Sequence, residues 1–278
     1  MKTVFYYYRL FSLDIIAGAL ASCLFAFKII DVPASIPLFI VLGISVFSIY
    51  SFDHIVDGIR KEGFTDTGSH RFFFVHRKVL IGIVILAVMA GISLAVIFLD
   101  KEIIKFGIFV GIFLIVYFLF NQTKNTAWQK MFFKEFWIAV IYTLVIWGLP
   151  IIENSYLVEI PAILMAISFG FLVLGNVLIY SYYGFISDGL EREKSIAIQF
   201  GRKKSRMFII LALCFSADAL LAELIFFHLF RSIDYTVLIL MNFGLMLIIY
   251  QKDKFEKNNL YGVLADALFL LPVLSVLI

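Results

Sequence analysis

Charge is scarce in this chain. Only 15% of its 278 residues are Asp, Glu, Lys or Arg, against roughly 25% in a soluble domain of ordinary composition. That is too little polar surface to cover a water-soluble core, and it excludes a soluble globular protein. A disordered chain is excluded as well, since disorder goes with high charge and few apolar residues. The two cysteines, Cys23 and Cys214, are too few for a disulfide-stapled secreted module. Both lie in apolar runs and read as buried thiols. The net charge of +3 is too small to argue for nucleic acid. Five prolines are few for the interrupted helices of many ion-coupled transporters. Strict polar alternation in short strands is also missing, which disfavours a transmembrane β-barrel.

What the chain has in quantity is apolar length. Hydrophobic residues make up 63% of it, and the mean hydropathy is +1.02. A helix needs about 20 apolar residues to cross the hydrocarbon core. Nine runs qualify, at about 10–30, 33–53, 78–99, 103–121, 134–152, 157–183, 206–229, 233–250 and 260–278. The fold expected is an all-α membrane protein, nine transmembrane helices in one bundle, with residues 1–278 forming a single polytopic domain. Leu20-Ala21-Ser22-Cys23 has the form of a lipoprotein cleavage site. Asp14 interrupts the would-be signal core, however, and the apolar run continues past Cys23, so the first span is expected to remain.

The connections carry a charge bias. With the N-terminus in the cytoplasm, nineteen of the twenty-three Lys and Arg fall inside. Only Lys28, Lys101, Lys105 and Arg231 fall outside. Cationic loops are retained on the cytoplasmic side, so this bias orients the bundle N-in and C-out.

The two longest polar connections are both on the cytoplasmic side, at about 50–77 and 180–206. The first contains Asp53 and Asp57. Four residues apart on a helix, they share one face about 6 Å apart and repel. A divalent cation or a basic neighbour would relieve that repulsion. Mg²⁺ suits the spacing, because it binds through one or two carboxylates and takes its other oxygens from water and phosphate. Arg60, Lys61, Arg71 and Arg77 stand nearby and could hold the same phosphate by charge-assisted hydrogen bonds. A solvated helix end marked by mixed charge is the alternative. The second connection contains Asp188 and Glu191, three apart, beside Arg192 and Lys194.

At these residues the chain resembles the UbiA superfamily of membrane prenyltransferases. That family has nine transmembrane helices, an N-x-x-x-D-x-x-x-D motif after the second and a D-x-x-x-D motif after the sixth. Asp53-His54-Ile55-Val56-Asp57 matches the acidic part of the first. Lys194-Ser195-Ile196-Ala197-Ile198-Gln199-Phe200-Gly201 is similar to the stretch that follows the second. Lys124, Lys130 and Lys134 lie in the connection where the family carries diphosphate-binding basic residues. The likeness spans the chain in topology and about thirty residues in motif. The chain departs from the pattern in three places. Ile49 stands where the leading Asn would be. The second motif pairs Asp188 either with Gly184 before it or with Arg192 after it, Glu191 being a substitute carboxylate in the latter register. His70-Arg71 replaces the usual Arg-Pro.

The resemblance implies an Mg²⁺-dependent enzyme that transfers a prenyl group from its diphosphate to an aromatic or other lipid-pathway acceptor. It implies metal ligands at Asp53, Asp57, Asp188 and Glu191. It implies diphosphate contacts from Arg60, Arg71, Lys130, Lys134 and Lys194, and catalytic roles for Asp53, Asp57, Asp188 and Tyr180. Tyr50, Tyr182 and Tyr183 adjoin the acidic residues and could face an allylic cation or simply anchor the interface. The expected partners are a prenyl diphosphate, a hydrophobic acceptor and the bilayer, with the site facing the cytoplasm. A non-catalytic lipid-binding relative and an ion-coupled transporter are the alternatives. Acids inside apolar spans are costly and invite a function; here they are Asp14, Asp218, Glu223 and Asp266. Asp14 and Asp266 are expected near the cytoplasmic face, and Asp218 to hydrogen-bond a neighbouring helix. His228 is expected at the external interface, while His54, His70 and His76 match no standard zinc spacing.

Overall fold

The structure, a computed structural model, describes residues 7–60, 68–122, 134–154, 158–190, 195–227 and 232–277. For Arg60, residues 68–70, 121–122, Ser232 and Asn258 it describes the backbone only. The regular elements among the described residues are all helical. In chain order they are α1 Leu13–Ile30, α2 Ile36–Arg60, α3 Gly68–Val75, α4 Arg77–Phe98, α5 Lys101–Gln122, α6 Lys134–Glu153, α7 Ile160–Tyr183, α8 Phe185–Leu190, α9 Ile196–Phe200, α10 Arg202–Phe227, α11 Ser232–Tyr250, α12 Lys252–Glu256, α13 Leu260–Leu268 and α14 Pro272–Leu277. A short 3₁₀ turn, Lys257–Asn259, links α12 to α13.

Among the described residues nine stretches are long and apolar enough to cross a membrane. Together with the composition they mark a multi-pass integral membrane protein. Their ends lie within about four residues of the hydropathy expectation, except that the second continues to Ile59. In a bilayer the backbone must satisfy itself, which a continuous helix does and an open strand does not. The runs stop where the chain supplies a reason. Asp31 adopts a left-handed φ of 59° and Pro33 follows, so α1 cannot continue into α2.

Two expectations need correction. The connections at 50–77 and 180–206 are largely helical where described, since α2, α3, α7, α8 and α9 run through them. The last span is not one helix. Phe269, Leu270 and Leu271 donate to carbonyls three residues back. Pro272 lacks the N–H that a continuing helix would use, and it opens α14 instead.

Backbone contacts divide the chain into two compact units, Met1–Leu20 with Ala34–Ile104, and Ala21–Pro33 with Lys105–Ile278. In the first, α2 packs mainly against α4 and α3. Gly91 lets α4 approach to where Ile44 would sit 3.2 Å from an added Cβ. A small core of Leu10, Ile55, Phe73 and Leu80 gathers beneath Phe11, Phe72 and Val84. Much of α4 faces outward, with Val79, Leu86, Val96 and Ile97 more than 60% exposed. Such a face belongs in hydrocarbon, where exposed aliphatic surface carries no hydration penalty.

In the second unit α7 is central, packed on α10, α6 and α11. Small residues set the close approaches, as is usual between membrane helices. Gly175 leaves room for Leu213, and the Ser168 and Ser216 hydroxyls bond across α7 and α10 at 2.9 Å. Asn242 donates from α11 to the Leu213 carbonyl at 2.8 Å. Phe25, Trp147, Phe169 and Phe269 form a buried ring cluster with edge-on and tilted centroids 5.8–6.3 Å apart.

Candidate functional site

Asp53 and Asp57 lie on the last two turns of α2, half-buried and one helical turn apart. The sequence expectation that they share a helix face holds. Ile55 and Ser51, on the other side of the helix, are buried. Helix α3 supports this end of α2. Its Phe73 is fully buried, lies 5.0 Å from the His54 ring, and meets Phe11 and Phe72 edge-on. His54 is thereby packed as an aromatic beside the two acids. Arg71 is exposed on α3. Arg77 is engaged locally, donating to the Phe74 carbonyl at 2.8 Å and lying over the Phe74 ring at 4.4 Å.

In the same unit Asp14 is compensated. Its carboxylate meets Arg9 Nε at 3.1 Å and accepts from the Ile15 N–H. Burial, reinforced by the Asp14 charge, pushes the neighbouring Tyr8 phenol up from its ordinary pKa.

In the second unit the chain leaves α7 almost without a break. Gly184 has near-helical angles, and Asp188 N–H donates to its carbonyl at 2.7 Å. Asp188 therefore sits one turn past α7 on α8, half-buried. Its carboxylate lies 3.0 Å from where a Cβ on Gly184 would be. A second acid at 184, the position one motif register would fill, would meet the Asp188 carboxylate itself.

Tyr180 donates to the Asp266 carboxylate on α13 and lies 3.0 Å from the Gly262 carbonyl. Asp266 is buried against that phenol. Tyr183 donates to Ile248 O at 2.7 Å and stacks on Tyr261 with centroids 4.3 Å apart. Arg202 lies over the Tyr182 ring and pairs with Glu256 at 2.6 Å. The tyrosines singled out in α7 thus tie α7 to α11, α13 and the start of α10.

The stretch Ser195–Gly201 is held by two side chains from other helices. Glu135, 2% exposed on α6, accepts the Ile196 N–H at 2.7 Å. Ser181 Oγ accepts the Ala197 N–H at 3.1 Å. These satisfy donors that open α9 and have no intrahelical acceptor. Gly201 closes α9 at φ 82°, a conformation other residues seldom take. Sequence reasoning missed Glu135. Its only sign is an acid in the first turn of an apolar helix, and its partner lies 61 residues away. A second missed group is Lys28, Asp234 and Ser275. Lys28 Nζ meets Asp234 at 3.3 Å and Ser275 Oγ at 3.0 Å, and Ser275 donates to Asp234. The positive-inside count uses Lys28 only as an external charge.

Two readings are overturned. Cys214 is exposed, not buried, although Cys23 is buried as expected. Asp218 is exposed on α10, and no hydrogen bond to a neighbouring helix is found among the described residues. Glu223 is buried.

Of the remaining predicted site residues, Lys134 opens α6, half-buried. Arg60 ends α2, its side chain outside the described set. Lys130, Glu191 and Lys194 lie outside the described residues, as does His228. Among the described residues no three of His, Cys, Asp and Glu gather as a metal site. Two half-buried carboxylates one turn apart still fit the donor set of Mg²⁺, a hard cation that keeps several waters. No family model matches the chain, and no curated protein or solved structure matches it either.

Proposed function

We propose that this chain is a UbiA-like intramembrane prenyltransferase. In the reaction the allylic C–O bond of a prenyl diphosphate breaks, diphosphate leaves, and a nucleophilic carbon or heteroatom of a hydrophobic acceptor bonds the allylic carbon and loses its proton. The observation that carries the reading is the Asp53/Asp57 pair, one turn apart at the end of the second membrane helix. Asp188, one turn past the sixth, supports it. Both stretches follow an even number of spans, so the positive-inside count puts both on the cytoplasmic side.

Asp53 and Asp57 would hold one Mg²⁺, and Asp188 with Glu191 a second. Bound there, the ion would neutralise charge growing on the leaving diphosphate, where electrostatic catalysis is largest. Arg60, Arg71, Lys130, Lys134 and Lys194 are the cations this reading assigns to diphosphate oxygens, through charge-assisted hydrogen bonds. Tyr180 takes a positioning role in this reading, because its hydroxyl is committed to Asp266.

One observation favours a second reading, a non-catalytic lipid-binding relative. Gly184 and Ile49 stand where ligands would be, and the Asp188 carboxylate already fills the space beside Gly184. One experiment separates the two. Prenyl diphosphates of short and long chain are titrated onto purified protein with and without Mg²⁺, for wild type and Asp53→Asn/Asp57→Asn. Mg²⁺-dependent binding that the double variant loses supports the enzyme. Absence of binding to wild type at every chain length would leave the non-catalytic reading.

A further inference from the structure

Unpaired positive charge collects at one end of the second unit. Helices α10 and α11 pack side by side, and Arg206 near the start of α10 lies beside Tyr250 at the end of α11. Gln251, at φ −94° and ψ 47°, breaks the helix there and turns the chain into α12. That turn brings Lys252 and Lys254 to Arg206 across a cavity of about 430 Å³. Tyr250, Gln251 and Asp253 complete its walls over Ile249.

The walls carry three cations against one carboxylate, a net +2. Lys252 approaches Glu256 only at 3.9 Å, beyond hydrogen-bonding range, and Glu256 is taken by Arg202 at 2.6 Å. Among the described residues Arg206 and Lys254 have no ion-pair partner, and neither have the adjoining Lys203 and Lys204. Like charges held in one concavity repel, and an anion would relieve them.

The same helices turn apolar immediately beyond. Ile210 is one turn from Arg206 on α10, and Phe243, 64% exposed, is two turns from Tyr250 on the outer face of α11. A ligand matching both parts is anionic at one end and hydrocarbon at the other. We propose that this cavity binds the headgroup of an anionic phospholipid from the surrounding bilayer. The phosphate diester sits among Arg206, Lys252 and Lys254, and an acyl chain runs along Ile210 and Phe243. A free phosphate shares the charge but gains nothing from the apolar half. The site uses none of the residues assigned to prenyl transfer and stands or falls separately.

The test is native mass spectrometry of the full chain. Protein is purified in neutral detergent and re-equilibrated with phosphatidylglycerol, phosphatidylcholine or inorganic phosphate. Wild type retains one phosphatidylglycerol in preference to phosphatidylcholine, and inorganic phosphate does not displace it. Each cation near a membrane surface contributes about fivefold in affinity, so Arg206→Gln/Lys252→Gln/Lys254→Gln weakens retention on the order of a hundredfold. Asp253→Asn removes the one opposing charge and strengthens retention about fivefold, which keeps the proposal testable if the triple variant does not fold. Equal retention of the two lipids by wild type overturns the proposal. So does a triple variant that folds and retains phosphatidylglycerol unchanged, an Asp253→Asn with no effect, or displacement of the lipid by inorganic phosphate.

Discussion

Removing the Glu135 carboxylate should loosen the segment after Asp188 without unfolding the bundle. Glu135 is 2% exposed and accepts the Ile196 N–H at 2.7 Å. In Glu135→Ala that buried donor has no acceptor, and an unsatisfied buried group costs about 1–3 kcal/mol. The cost falls on a local opening, because Ser195–Gly201 is short and the Ser181–Ala197 bond survives. Lys203 and Lys204 are already exposed and Arg202 is half-buried, so opening acts by freeing the backbone that leads into them, which tryptic cleavage reports. When reclosing is faster than cleavage, the rate follows the open population. An increase of roughly five- to a hundredfold corresponds to that free energy. Glu135→Gln keeps an acceptor oxygen but loses the charge, and it should fall nearer wild type. The assay is limited proteolysis in detergent with cleavage mapped by mass. Cleavage of Glu135→Ala at the wild-type rate, or of Glu135→Gln as fast as the alanine variant, would refute the reasoning.

Other consequences follow from single contacts. Lys28→Met strands the buried Asp234; because the Lys28 side chain is 37% exposed, the loss should be about 2 kcal/mol rather than the 3–5 of a fully buried pair. Lys28→Met/Asp234→Asn should recover part of it in thermal melts, and strict additivity would contradict a coupled pair. Gly148→Ala puts a Cβ 2.4 Å from Phe106 Cζ and should cost about 1–3 kcal/mol by overpacking. Phe106→Leu in the same chain should relieve it; a melt no better than Gly148→Ala alone would count against the contact. Asp218→Leu removes an exposed carboxylate from the middle of an apolar span and should leave the melting temperature unchanged or higher. A clear drop would mean that Asp218 has a partner.

The spans were legible because hydropathy over about 20 residues is a local quantity and the bilayer reads it locally. Even the break in the last span was visible in principle, since Pro272 cannot donate to the helix. The spacing of Asp53 and Asp57 was equally local, as four residues make one helical turn. Cys214 and Asp218 were misjudged for a related reason. An apolar run shows that a helix enters the membrane but not which side of it meets another helix.

Local sequence is therefore enough for the class of protein, for the nine stretches among the described residues that are long and apolar enough to cross a membrane, and for the acid pair on one turn of α2. Each depends on residues within a turn or a span of one another. The polar groups, by contrast, are satisfied by contacts between segments far apart in the chain. Tyr180 meets Asp266 across 86 residues, Glu135 reaches Ile196 across 61, and Lys28 joins Asp234 and Ser275 across more than 200. In a low-dielectric interior a buried polar group must find a partner, but any helix face of matching depth can supply one. That choice is made by packing, through small residues such as Gly175 and Ser168 that let particular helices come close.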